Sequence, residues 1–278
     1  MGKYNIAGIK LEFNYCFPDF FDERIKKYEI SDDECVNARM NVRVSDCLEN
    51  IKGTLKRKIK HHEIYDVNGK NVVTTKNIQL IYNDDYSDVE IVLNSALGER
   101  LPEIEYIYTG MNFCALAVKR GIFPLHASAI EYNQEAILFS APSGTGKSTH
   151  VNLWKGIFPE IKIINDDKPL VMYENNEFYV SGSPWSGKSI LNDNVKVPLK
   201  AIVFLRQSPE NYVKELEDHE KFIELVRNTY HPDLEEDVMN LLDMFELLIK
   251  EKIITSLYCN ISEEAVWTIY KRIFGEEK

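Results

Sequence analysis

The sequence predicts an α/β protein in which a β-rich amino-terminal region, about residues 1–100, precedes a strand–loop–helix core, about residues 101–278. Three observations carry this. Short strand-like runs separated by turn chemistry fill the first hundred residues. Apolar residues change to helical spacing from Leu101 onward, and a glycine-rich loop at 141–148 lies between an apolar strand run and a helical stripe.

In the first region, residues 41–44 and 89–93 read as strands, and Asn68-Gly69 predicts a tight hairpin turn between 63–67 and 71–75 because both central residues must adopt positive φ. Residues 83–88 read as the next turn. Asp84, Asp85 and Asp88 fit a solvated turn, since the glycine and distal glutamate of a calcium loop are not at their spacings. Lys52, Lys56, Arg57, Lys58 and Lys60 form a basic island, either one exposed charged face or a strip able to dock an acidic peptide.

From Pro102 the spacing predicts a helix over 102–120, with Ile104, Ile107, Met111, Leu116 and Ala117 on its apolar face and Gly121 beyond its end. A hairpin follows, 123–131 and 136–139, turning at Asn133-Gln134 and running into the glycine-rich loop. Val151, Trp154, Ile157 and Phe158 make a helical stripe. Residues 161–164 read as a strand, 170–173 and 178–180 as a hairpin about Asn175-Asn176, and 201–205 as a buried strand. The carboxyl-terminal part predicts a helix over 233–250, a strand over 253–258 and a last helix capped by Ser262 and closed by Gly275.

Composition narrows the function. Of 278 residues, 33 are Lys or Arg and 44 are Asp or Glu, a formal charge of −11 that argues against a nucleic-acid partner. With 44% hydrophobic and 11% aromatic residues the chain is core-forming rather than disordered. No apolar run is long enough to span a bilayer and the first fifteen residues lack a signal-peptide pattern, so a cytoplasmic protein without a membrane partner is expected. The 5 cysteines are scattered, which reads as reduced thiols rather than a zinc site.

The chemistry concentrates after residue 120. Ala141, Pro142, Ser143, Gly144, Thr145, Gly146, Lys147 and Ser148 satisfy the relaxed phosphate-binding loop pattern, with a strand before and a helix after. Backbone N–H groups from Ser143 to Thr149 can wrap phosphates, Gly144 and Gly146 permit positive φ, Lys147 can reach the terminal phosphates and Ser148 can ligate Mg²⁺. The strand at 161–164 delivers Asp166 and Asp167 to the same end of a sheet. Adjacent residues on an extended segment point opposite ways, so one can serve a metal while the other accepts a hydroxyl proton. A hairpin turning at 133 and 134 sets His126 opposite Ala141, beside the loop. His150 reads as a packing residue on the helix. Trp185 and Lys188, in the loop 182–188, and Arg206, after a strand, are candidates for contacts with substrate.

These residues resemble the HPr kinase/phosphorylase catalytic domain, itself similar to phosphoenolpyruvate carboxykinase. The runs 125–128, 143–150, 165–169 and 182–188 look like the HPr kinase-like proteins of bacterial peptide-modification clusters, including lasso peptide kinases. The resemblance covers about residues 101–278 and implies a P-loop core of that kind. It implies ATP and Mg²⁺ at Lys147 and Ser148, Asp166 as the base that takes a proton from an acceptor serine, Asp167 supporting the metal, and His126 orienting Asp166 or the γ-phosphate. The expected function is transfer of the γ-phosphoryl group to a hydroxyl, serine on a peptide or protein. A non-transferring nucleotide switch or peptide chaperone, and a kinase acting on free serine or a sugar, are the alternatives.

Overall fold

A computed structural model describes residues 2–59, 62–142 and 144–275. It is a mixed α/β protein with two large sheets, and the chain divides into two units, Met1–Arg120 and Gly121–Lys278.

In the first unit β1 (Gly2–Ile6) and β2 (Ile9–Asn14) form a hairpin, and α1 (Pro18–Ile25) leads to β3 (Ala38–Ser45). Then β4 (Thr54–Ile59), β5 (His62–Val67), β6 (Lys70–Thr74), β7 (Ile78–Tyr82) and β8 (Asp88–Asn94) run as an antiparallel meander, giving the sheet order β1-β2-β3-β8-β7-β6-β5-β4. Asn68 and Gly69 take positive φ, as the tight turn requires. Of the basic island, Lys56, Arg57 and Lys58 fall on edge strand β4 and Lys52 precedes it; Asp84 engages Lys56 at 2.7 Å and Glu63 engages Lys58 at 3.1 Å, and Lys60 and His61 lie outside the described residues.

α2 (Leu101–Lys119) belongs to this first unit, so the units part at 120/121 and not near residue 100, where the change of period suggested a boundary. The reason is a polar anchor: Glu105, buried, accepts the N–H of Cys16 at 2.6 Å and of Phe17 at 3.1 Å. Its inward face therefore carries Glu105, Thr109 and Asn112 with Phe113 and Leu116, while Ile107 and Met111, expected inside, are exposed.

In the second unit β9 (Ile122–Pro124) and β10 (Ala127–Tyr132) are two strands where the sequence reads one. The break at Leu125 and His126 lets the chain pass between two sets of partners: β9 pairs with β13 (Leu170–Glu174), and β10 pairs with β11 (Glu135–Ser140) and β12 (Lys162–Asn165). α3 (Lys147–Ile157) follows the glycine-rich loop, and β14 (Glu177–Ser181) returns from β13 through Asn175 and Asn176, both at positive φ. β15 (Lys196–Gln207) is long enough to be shared: its first residues pair antiparallel with β14, the rest parallel with β11 and with β17 (Ile253–Cys259). β16 (Tyr212–Glu215), α4 (Asp218–Arg227) and α5 (Glu235–Glu251) precede β17, and α6 (Glu263–Phe274) ends the described chain. Ser262 occupies the cap position of α6, but its hydroxyl donates to Asn260 instead of capping.

Side-chain alternation assigns the two faces of this sheet. Ile137, Phe139, Ala201, Val203 and Leu205 point to one side, packing with Val151 and Trp154 of α3 and Val266, Ile269 and Tyr270 of α6. Ala136, Leu138, Ile202 and Phe204 point to the other, with Leu225 of α4 and Leu241, Phe245 and Leu248 of α5. Among the described residues no helix is long and apolar enough to cross a membrane.

Candidate functional site

The sheet of the second unit brings three chain segments to one edge. β10 and β11 pair with Ala127 opposite Ser140, so the start of β10 meets the end of β11 and His126 falls beside the loop, in the register the hairpin predicts. β12 is antiparallel to β10 on its other side, so its carboxyl end, followed by Asp166 and Asp167, reaches the same edge. His126 thus stands between the glycine-rich loop and the two aspartates. Its position is held from three directions: its N–H donates to Asn228 O at 2.6 Å, its carbonyl accepts from Ser140 Oγ at 2.8 Å, and the next N–H, of Ala127, donates to Asp167 O at 3.2 Å.

Gly144 has φ +80° and Gly146 φ +113°, with open space where a Cβ would sit, so the backbone and not crowding demands glycine at both. Ser143 lies outside the described residues. Lys147 and Ser148 open α3, where the first N–H groups of a helix have no intrahelical partner and the dipole favours an anion. Lys147 is 9% exposed and donates to Ala141 O and to His126 Nε2, both at 2.9 Å. Burial lowers its pKa, opposed by the charges of Asp167 and Asp166.

An ammonium can only donate, so His126 Nε2 is the acceptor and Nδ1 carries the ring proton toward Asp167 Oδ1, 3.0 Å away. Lys168 Nζ holds the other oxygen of Asp167 at 2.6 Å. Burial would raise the Asp167 carboxyl, but the hydrogen bond from His126 and the charge and hydrogen bond of Lys168 outweigh it and bring it down to about 2. Asp166 faces the other way: Ser128 Oγ donates to its Oδ1 at 2.6 Å, and Ser148 Oγ lies 3.2 and 3.3 Å from its two oxygens. Asp166 therefore stands with Ser148 and Asp167 with His126, where the resemblance implied Asp167 on the metal and His126 orienting Asp166 or the γ-phosphate; both aspartates lie in the bend that follows β12.

Asn165 sets this divergence. Fully buried, its Oδ1 accepts the N–H of Asp167 at 2.9 Å and of Lys168 at 2.6 Å, while its Nδ2 donates to Ser183 O at 2.8 Å. Gly187 closes over Asp167: it has φ +69°, and a Cβ there would come within 3.0 Å of Asp167 Cβ.

The resulting cleft, about 320 Å³, is lined by His126, Gly144, Gly146, Lys147, Ser148, Thr149, Asp166, Asp167 and residues 186–189. Lys188 is at its exposed rim. Trp185 is 1% exposed and turns into the protein; it does not wall the cleft. Arg206 is elsewhere too, on a second cavity beyond the loop, where its guanidinium pairs with Glu224 at 2.6 Å. His150 packs against Phe139 and accepts from Trp154 Nε1 at 3.1 Å, a buried and structural placement. Ser128, Asn165, Lys168 and Gly187 belong to the site although spacing alone did not single them out; adjacency to His126 and the paired aspartates was their signal.

Magnesium fits the donor set. Among the described residues no group of three His, Cys, Asp or Glu could hold a metal by itself. Ser148 and Asp166 do present hard oxygen donors together, and Mg²⁺ commonly takes one or two protein oxygens, completing its shell with phosphate and water.

The model of a family described as ScmC, SynChlorMet cassette protein ScmC, matches residues 104–231, a span that includes the loop, His126, both aspartates and the 182–188 segment. No curated protein matches the chain. Among solved structures, the Hpr(Ser) kinase/phosphatase from Coxiella burnetii is similar at 14% identity and a TM-score of 0.26, covering 46% of this chain and 92% of that one.

Proposed function

We propose that the cleft transfers the γ-phosphoryl group of ATP to a hydroxyl, that of a serine in a peptide or protein. The observation that carries this is the division of the two carboxylates: Asp166 sits against Ser148, and Asp167 sits at the end of a hydrogen-bonded chain through His126 to Lys147. Simple nucleotide binding needs no second carboxylate locked to a histidine.

In this reading the N–H groups of the loop and of the first turn of α3 hold the β- and γ-phosphates, and Lys147 moves from Ala141 O to the γ-phosphate. Mg²⁺, held by Ser148 and Asp166, supplies charge neutralisation on the phosphates. Asp167 receives the acceptor hydroxyl. The hydroxyl oxygen forms the new bond to phosphorus as the bond to the β-phosphate oxygen breaks; the electron pair leaves with ADP and the proton goes to Asp167. A carboxylate with a low pKa suffices because in a loose transition state the proton leaves late, so aim matters more than basicity. His126 Nδ1–H fixes that aim. Lys168 occupies the second oxygen until the hydroxyl arrives, and Lys188 at the rim favours an acidic or phosphorylated approach.

The test is incubation with ATP, Mg²⁺ and a pool of serine peptides, HPr and free serine, followed by mass spectrometry. Asp167→Asn should bind ATP normally and transfer roughly 10²–10⁴-fold more slowly, whereas Asp166→Asn should weaken the magnesium dependence. Full transfer by Asp167→Asn would overturn its role as base; ATP binding with no acceptor modified would favour a nucleotide switch.

A further inference from the structure

Next to the charged cleft the surface turns apolar. Residues 186–189 line the cleft together with Asp167, and Ile190 and Leu191 follow them, 50% and 46% exposed. Among the described residues these two are the one consecutive pair of exposed large apolar side chains. The strip that carries them is braced. Ser186 Oγ donates to Ser189 O at 2.8 Å and Ser189 Oγ to Ser186 O at 3.2 Å, which closes the turn around Gly187 and Lys188. Beyond the pair, Asn192 bridges to Asn165 and the N–H of Asp193 donates to Ile164 O at 2.9 Å, so the strip is fixed to edge strand β12, which leads into the two aspartates. Ser186 and Asn192 are buried while the apolar pair between them stays in water. Single exposed apolar residues are ordinary; an adjacent pair, held rigidly at the mouth of a charged cleft, has the character of a contact surface.

We propose that Lys188, Ile190 and Leu191 form the acceptor platform, and that its occupant is an extended peptide with an acidic residue and a large aliphatic residue within about three positions of the modified serine. The inference rests on the kinase reading and adds the class of acceptor. The hydroxyl has to reach Asp167, and Gly187 closes over Asp167, so a chain delivering a serine there runs along residues 187–191. Lys188 is exposed and makes no ion pair with a described residue, whereas Lys168 is held by Asp167 and Lys147 by His126 and Ala141. Its charge is therefore open to an acid on the acceptor, on a chain whose own net charge is −11. Two or three residues separate Lys188 from the apolar pair, roughly 7–10 Å of extended chain, which sets the spacing of the two groups on the peptide. Free serine and sugars have neither an acidic nor an aliphatic side chain to place there.

A set of synthetic serine peptides tests this, varied only within three positions of the serine as Glu or Lys and as Leu or Gly, with free serine alongside. Transfer from ATP with Mg²⁺ is read by mass spectrometry as kcat/KM. The wild-type protein should favour Leu over Gly roughly 5-fold, the effect of burying about half an aliphatic side chain, favour Glu over Lys by up to about 5-fold, as an exposed ion pair allows, and modify free serine more slowly than any Glu- and Leu-bearing peptide. Ile190→Ser combined with Leu191→Ser should erase the preference for Leu. Lys188→Glu should invert the charge preference, making the Lys peptides the better acceptors; a gain on one class of peptide cannot come from misfolding. Peptide transfer indifferent to both positions, a charge preference that Lys188→Glu leaves as it was, or transfer to free serine as fast as to the best peptide would overturn the platform and spare the kinase reading. ATP binding with none of these acceptors modified would overturn the reading and the platform together.

Discussion

Acid should weaken this protein through one buried imidazole. His150 is 3% exposed, lies against the Phe139 ring and has its Nε2 committed to the Trp154 N–H, so protonation at that atom both charges a buried group and breaks the hydrogen bond. Burial pushes it from 6.5 down to about 4 in the folded protein. The sign follows directly: below pH 6.5 the unfolded chain takes a proton that the native state refuses, so the stability is complete above the unfolded value and is lost as pH falls toward 4. The whole gap is worth roughly 3 kcal/mol, and going from about pH 7.5 to about pH 5 should remove about 2 kcal/mol of it. For a unit of this size that is a fall of roughly 4–8 °C in melting temperature. Urea unfolding or thermal melts at the two pH values measure it, with His150→Gln as comparison, since the amide can accept from Trp154 without titrating. The difference between the two pH values should shrink in His150→Gln. Equal pH dependence in both proteins would refute the account.

Other perturbations separate binding from transfer. Lys147→Met should remove nucleotide-dependent turnover, measured by ATP consumption, and free His126 Nε2 of its donor. Gly187→Ala places a methyl 3.0 Å from Asp167 Cβ at a φ of +69° and should lower transfer while leaving ATP binding intact, as calorimetry would read. Lys168→Met removes the charge that helps hold Asp167 near 2, so burial is less opposed and the acid limb of the pH–rate profile should rise into the measurable range. Trp154→Ala, emptying a fully buried site under the loop helix, should cost about 3–5 kcal/mol in urea unfolding.

Local sequence was enough for the hairpins and the loop. Asn68-Gly69, Asn133-Gln134 and Asn175-Asn176 each supply residues that tolerate positive φ, and each turns a hairpin in the structure. Symmetric pairing about the second of these places His126 beside the loop. Where a short-range signal competed with a long-range one, reading along the chain failed. The apolar period of α2 selected Ile107 and Met111, but the N–H groups of Cys16 and Phe17, nearly ninety positions earlier, drew Glu105 inward instead. Trp185, suited by type to a pocket wall, went into the interior, and Arg206 was captured by Glu224 of α4 on the far side of the loop.

By itself, then, the sequence determined the loop, the paired aspartates and the histidine that faces them, because each is written in a local pattern or in a hairpin register. The tertiary structure alone decided which aspartate meets Ser148 and which meets His126. That choice depends on the angle at which β12 ends, and Asn165 sets the angle by binding Ser183 on one side and the N–H groups of Asp167 and Lys168 on the other. A buried amide that ties two distant loops together has no periodicity to betray it; its effect exists only once the chain has folded.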